Sequence, residues 1–264
     1  MIFSILKKDL LINLSYRSAF IAQFLLIIIQ LFIFYFLSKY IDVSTNKDEI
    51  STSYFTYVIF SICFIDIMVT ITNHFPREIM NLKTTGIFEE IVIMKANFFR
   101  IIIGMVLYPF VISSIKLIFY FIIASILQNE LIIAINLLPQ LIATSLLLML
   151  SFTFISVIAG AYSIAFSKPG LIPILFITFS IIMGEAYFPL KLVPYIDGTL
   201  SFITSFSPAI ENLRMLTHAN INEDKFLLNL FLIISLCLAY FIISIVCINA
   251  SIRYAKKNGS LLQY

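Results

Sequence analysis

Charge is scarce in this chain: Lys, Arg, Asp and Glu make up 12% of its 264 residues, against roughly 25% in an ordinary soluble domain. Hydrophobic residues reach 61%, more apolar surface than a water-soluble fold of this length can hide, so lipid must be part of the solvent. The net charge of +3 is spread thinly, with no basic run above two residues, and gives no basis for nucleic-acid binding. Cysteine is sparse too: Cys63, Cys237 and Cys247 lie in apolar stretches without C-x-x-C spacing and read as reduced packing residues. The two histidines, His74 and His218, are far apart in the chain, and no zinc pattern is present. The seven glycines never form G-x-x-x-x-G-K-[ST], which leaves the chain without a P-loop for nucleotide phosphates. Catalytic and metal residues are therefore not expected.

What the sequence has in quantity is long apolar runs. Crossing the hydrocarbon core takes roughly 20 apolar residues in a helix. Six runs qualify, at residues 18–38, 54–73, 101–127, 139–166, 171–187 and 226–249, in a single domain covering 1–264. Pro139 suits the first turn of the fourth run, and Pro173 lies near the start of the fifth. Lys7, Lys8 and Asp9 interrupt the first apolar residues, so the N-terminus does not read as a cleavable signal. No internal repeat or low-complexity tract is present.

Basic residues set the expected orientation. Lys7, Lys8, Arg17, Arg77, Lys83, Lys95, Arg100, Lys168, Arg253, Lys256 and Lys257 fall on one side of the six-span plan, against Lys39, Lys47, Lys191, Arg214 and Lys225 on the other. Eleven against five makes the first side cytoplasmic, with both termini there, as in a multi-pass protein of the cell membrane.

Three segments outside the runs carry patterns of their own. In the N-terminal stretch Phe3, Leu6, Leu10 and Leu14 share one helical face, while Ser4, Lys8 and Ser15 share the other. That fits a helix lying in the membrane interface, or a plain extension of the first span. Residues 76–97 form the one sizeable loop on the inner side. There Gly86 opens a short helix with Ile87, Ile91 and Met94 on one face, and Glu89 and Glu90 in the turns where the dipole favours negative charge. Such a helix is a docking surface for a partner or a connector resting on the membrane. Residues 184–216 on the outer side are too apolar for a solvated loop and are broken by Pro189, Pro194, Gly198 and Pro208. They predict two short helices that dip into the outer leaflet and return, because irregular backbone at membrane depth must be satisfied by protein or at an interface.

Charges within the spans are costly and mark function by default. Asp66 is eight residues from the inner edge of the second run and Lys116 about sixteen from that of the third, a mismatch of roughly 12 Å at 1.5 Å per residue. A structural ion pair, separate contacts with water-filled space, and a role in substrate passage are all compatible with that spacing. Glu185 is a further polar outlier, at the end of the fifth run.

In this order, the N-terminal helix, six spans, inner helix and outer hairpin resemble the permease subunit of type-2 ATP-binding-cassette (ABC) exporters. The inner helix is similar to that family's G-T-L-E-x-L pattern through Gly86, Ile87, Phe88, Glu89, Glu90 and Ile91, with Ile87 and Phe88 replacing Thr and Leu, and Lys95 standing where a proline is common. The outer hairpin resembles G-x-x-x-F-P … P … P … R through Gly184, Phe188, Pro189, Pro194, Pro208 and Arg214. The resemblance implies an all-α membrane fold in which two permease subunits enclose a path. It also implies separate ATPase subunits that bind ATP and Mg and drive the inner helices, with no cofactor on this chain. A stand-alone secondary transporter or channel is the alternative. The cargo stays open among polysaccharide, lipid-linked polymer, peptide and hydrophobic drug, because 27 Phe and 13 Tyr suit sugar stacking and lipid packing alike.

Overall fold

The computed structural model describes residues 2–44, 54–93, 98–128, 137–166, 168, 170–187, 203–217 and 223–258. Among the described residues every regular element is a helix, as expected of an all-α chain. In order they are α1 (Ile2–Ser15), α2 (Arg17–Ser44), α3 (Tyr54–Thr84), α4 (Ile87–Ile93), α5 (Phe98–Gln128), α6 (Leu138–Phe166), α7 (Leu171–Met183), α8 (Phe206–Met215) and α9 (Glu223–Asn258).

Five of them are long and apolar enough to cross a bilayer: α2, α3, α5, α6 and α9. This is the composition of a multi-pass membrane protein, and the remaining expected run, residues 171–187, is shorter. The fifth run yields only the 13 residues of α7, about 20 Å at 1.5 Å per residue against a core of about 30 Å. It stops early because the backbone turns at Gly184 and Glu185 then takes a left-handed φ of 51°, a conformation that ends a helix.

Burial sorts the long helices into two groups. In their most apolar stretches α3 has 72% of its residues buried and α6 61%, against 11% for α2, 28% for α5 and 22% for α9. The inner pair therefore forms the core, and the outer helices turn apolar stripes such as Ile21, Leu25, Ile29 and Phe36 of α2 outward. Water would penalise such surface at about 25 cal/mol per Å², whereas lipid does not.

Several helices run past the limits set by hydropathy, and α3 most of all. It continues through Pro76 to Thr84, so much of the expected inner loop is helix. A proline in mid-helix has no N–H for the carbonyl four residues back. That carbonyl belongs to Thr72, and the Ser156 hydroxyl of α6 donates to it at 3.2 Å. The lost bond is replaced from a neighbouring helix, as buried backbone in lipid requires. Similarly α9 extends to Asn258, with Lys256 and Lys257 in its last turn, where cations suit the helix dipole.

The chain thus has a basic end, holding the C-terminal ends of α3, α6 and α9 and the start of α5, and a far end. Lys83 ties the basic end together: its Nζ donates to the carbonyls of Ser163 and Ile164 at 3.1 and 2.6 Å, two of the last four of α6, which have no intrahelical partner. α1 packs mainly against α5, where the Ile5 side chain lies over Gly104. Of its expected apolar face Leu6 and Leu10 are half-buried, and Ser4, Lys8 and Ser15 opposite are exposed, but the buried stripe is shifted toward Ile5 and Asp9. Phe3 is 76% exposed, whereas Asp9 is 4% exposed and turned inward, so tertiary contact with α5 decides the rotation of α1.

Candidate functional site: an ion pair between long helices, a short helix and an arginine clamp

Asp66 and Lys116 meet. Lys116 Nζ lies 3.1 Å from Asp66 Oδ2 and donates to Thr70 Oγ1 at 2.9 Å. The expected mismatch in depth disappears because α3 is longer than its hydropathy suggests. Eighteen residues separate Asp66 from Thr84, and eighteen separate Lys116 from Phe98, so the two groups stand level. Thr70 serves both: its hydroxyl donates to the Asp66 carbonyl at 2.9 Å while its lone pairs accept from Lys116. The neighbouring Tyr120 is 1% exposed and reaches Gln30 of α2 at 3.4 Å.

The pair is unevenly covered. The Lys116 side chain is 6% exposed, but that of Asp66 is 27%. From Asp66 a polar line continues down α3 through half-buried Thr70 and Asn73 to exposed Arg77. These residues are three or four apart and share one helical face. Their spacing was readable in the sequence, but that they lie together on an uncovered face was not.

Around the inner helix, the chain leaves α3 through Gly86 at φ +75°, a left-handed turn that glycine takes without strain. α4 then begins at Ile87. Its buried side differs from the expected one, with Ile87 45% exposed and Phe88 fully buried. Phe88 belongs to a packed cluster with Phe75, Ile79, Ile102, Ile164 and Ile248, with half-buried Ile91 against it. Phe88 and Ile91 therefore anchor α4, and Glu89 is half-buried while Glu90 is exposed. Met94 and Lys95 lie outside the described residues.

At the far end Arg214 of α8 forms a clamp. Its Nε donates to the Tyr57 carbonyl at 3.1 Å, and its Nη2 donates to Ser61 Oγ at 2.9 Å and the Glu185 carbonyl at 2.8 Å. The guanidinium also stacks on the Tyr57 ring, 3.6 Å from the centroid, a favourable cation–π arrangement. Burial pulls the Arg214 pKa down, while Tyr57 and Glu185 pull it back up. Glu185 contributes its main chain here, since its carbonyl also accepts from the Tyr57 hydroxyl at 3.2 Å. Gly184 allows Phe206 to close over the turn, because a Cβ there would strike the Phe206 ring and the Ser180 carbonyl. Pro208 is buried in the first turn of α8, where a missing N–H costs nothing. Phe188, Pro189, Pro194 and His218 lie outside the described residues, as does most of the expected first hairpin helix.

Cys63 and Cys237 are buried, Cys247 is half-buried, and all three are free thiols. His74 is half-buried, its ring 5.3 Å from that of Tyr108. Among the described residues no group of three or more His, Cys, Asp and Glu side chains could hold a metal ion. Neither a protein-family profile nor a curated protein matches this chain.

Proposed function

We propose that this chain is the membrane-spanning subunit of an ATP-driven exporter, lining a substrate path and coupled through α4 to separate ATPase subunits. The observation that carries this reading is the uncovered polar face of α3. A partly exposed carboxylate at mid-membrane depth cannot face hydrocarbon cheaply, and such groups line water-filled or protein-covered space. Asp66, Thr70, Asn73 and Arg77 would form one wall of a path, and a second permease subunit would supply the other.

The remaining features fit the same scheme. α7 leaves the basic end just after Phe166, and the carbonyls beyond it meet Tyr57 and Tyr54 at the start of α3. It would serve as a short sixth crossing, returning both termini to the cytoplasm. α8, clamped by Arg214, would be the returning arm of an outer re-entrant hairpin. α4 would be the coupling helix: Phe88 fixes it to the core, and Glu89 and Glu90 meet the ATPase, which binds ATP and Mg. A push on α4 would reach α3 directly and α6 through the cluster that Phe88 shares with Phe75 and Ile164.

The test is charge reversal with purification of the complex. Glu89→Lys should abolish ATP-dependent export while membrane insertion stays normal, and an ATPase subunit should co-purify with the unaltered chain. Export at the normal rate with Glu89→Lys would sink the coupling role. Transport by the purified chain alone, insensitive to vanadate, would instead favour a secondary transporter or channel built on the Asp66–Lys116 pair.

A further inference from the structure

A groove of about 280 Å³ runs between α5, α6 and α9, on the half of the bundle nearest the basic end. Ile103, Val106, Val157 and Ile248 form its walls. Of the three polar residues in the lining, Asn249 lies toward the basic end, while Thr153 and Ser244 spend their hydroxyls on carbonyls of their own helices, Leu150 at 2.7 Å and Phe241 at 2.7 Å. The floor is therefore apolar in effect. Along α9 it spans Phe241 to Ile252, about 16 Å of helix, close to the 15 Å or so of one hydrocarbon leaflet.

The chemistry changes in order along this groove. Apolar Ile245 and Ile248 are followed by exposed Asn249, and then by exposed Arg253 and Lys256, which stay on the same side of α9 at three- and four-residue steps. Across the groove exposed Arg100 lies three residues before Ile103 on α5. Acyl chain, glycerol ester and phosphate follow one another in the same sequence in a phospholipid. We infer that the groove between α5, α6 and α9 binds one anionic phospholipid of the inner leaflet, its chain against Val106, Val157 and Ile248 and its phosphate between Arg100, Arg253 and Lys256. Asn249 is at the depth of the ester. Charge complementarity selects the occupant, since a zwitterionic lipid brings a fourth cation to a mouth that already holds three, whereas an anionic lipid brings only its negative charge.

The site also borders the inner helix, because Ile102 and Ile248 line the groove and belong to the Phe88 cluster. The inference rests on the inward orientation of the basic end proposed above, and its test needs neither ATPase nor substrate, so the two readings fail separately. Purified protein is delipidated and titrated with phosphatidylglycerol and with phosphatidylcholine, and the bound lipid is read by native mass spectrometry. One phosphatidylglycerol should bind in preference to phosphatidylcholine. Arg100→Gln, Arg253→Gln and Lys256→Gln should each lower that preference about fivefold, and all three together about a hundredfold. Ile245→Trp, at an exposed wall position, should block both lipids while the protein keeps its melting temperature. Equal binding of the two lipids, or an unchanged preference in the triple variant, overturns the proposal. So does Ile245→Cys forming a disulfide-linked dimer in native membranes with no lipid adduct, which assigns the groove to a second copy.

Discussion

Removing either partner of the intramembrane ion pair leaves the other charge in a poor environment, and the structure says which loss is worse. Asp66→Asn strands a Lys116 ammonium that is 6% exposed, with Thr70 still in reach. Breaking a buried pair from one side costs about 3–5 kcal/mol, and the Thr70 bond puts this variant near the low end, at about 3 kcal/mol. Lys116→Met strands a carboxylate that is 27% exposed. Partial hydration lowers that cost, to about 2 kcal/mol on the same scale. The double variant has no stranded charge, and neutral side chains at this depth are well tolerated, so about 1–2 kcal/mol is expected from lost bonds alone. The coupling energy is then about 3–4 kcal/mol, far above the roughly 0.5 kcal/mol within which independent sites add. The assay is reversible unfolding of the four proteins in lipid bicelles, with transport measured in parallel. Losses that add to within about 0.5 kcal/mol would refute the pairing and the depth assignment behind it.

Two further predictions concern the backbone. Ser156→Ala removes the donor to the Thr72 carbonyl and should cost about 1–2 kcal/mol; in a Pro76→Ala background, where residue 76 regains its N–H, the same change should cost little, as melting temperatures would show. Gly184→Ala forces Phe206 off the outer turn, an overpacking that should cost about 1–3 kcal/mol, and a Phe206→Leu change in the same chain should recover part of the loss.

The long helices were legible because hydropathy reports length and composition directly, and five of the six apolar runs are helices long enough to span. Their ends were less legible. Hydropathy falls after Asn73 although α3 continues to Thr84, since a helix persists wherever its backbone bonds are met, and Ser156 meets the one that Pro76 breaks. That hidden extension produced the apparent mismatch between Asp66 and Lys116. The end of α7 was placed too late for the opposite reason: its residues stay apolar past Met183, but Gly184 and Glu185 turn the chain. Faces were the hardest to read. In α4 the spacing put Ile87 with Ile91 on the apolar face, and the cluster at Phe75, Ile102 and Ile248 takes Phe88 in place of Ile87. Arg214 stood out as a motif position, but its partners Tyr57, Ser61 and Glu185 come from distant parts of the chain. Lys83 read as one more basic residue of a loop, because its place in the last turn of α3 belongs to the extension that hydropathy hid.

The most direct test of the account asks where α4 lies. A single cysteine at exposed Glu90, in a chain with Cys63, Cys237 and Cys247 changed to Ala, is treated with a membrane-impermeant maleimide. Intact cells should leave Glu90→Cys unmodified, and inside-out vesicles should label it fully. Labelling from outside intact cells would place α4 on the wrong side of the membrane for any ATPase and contradict the proposed coupling.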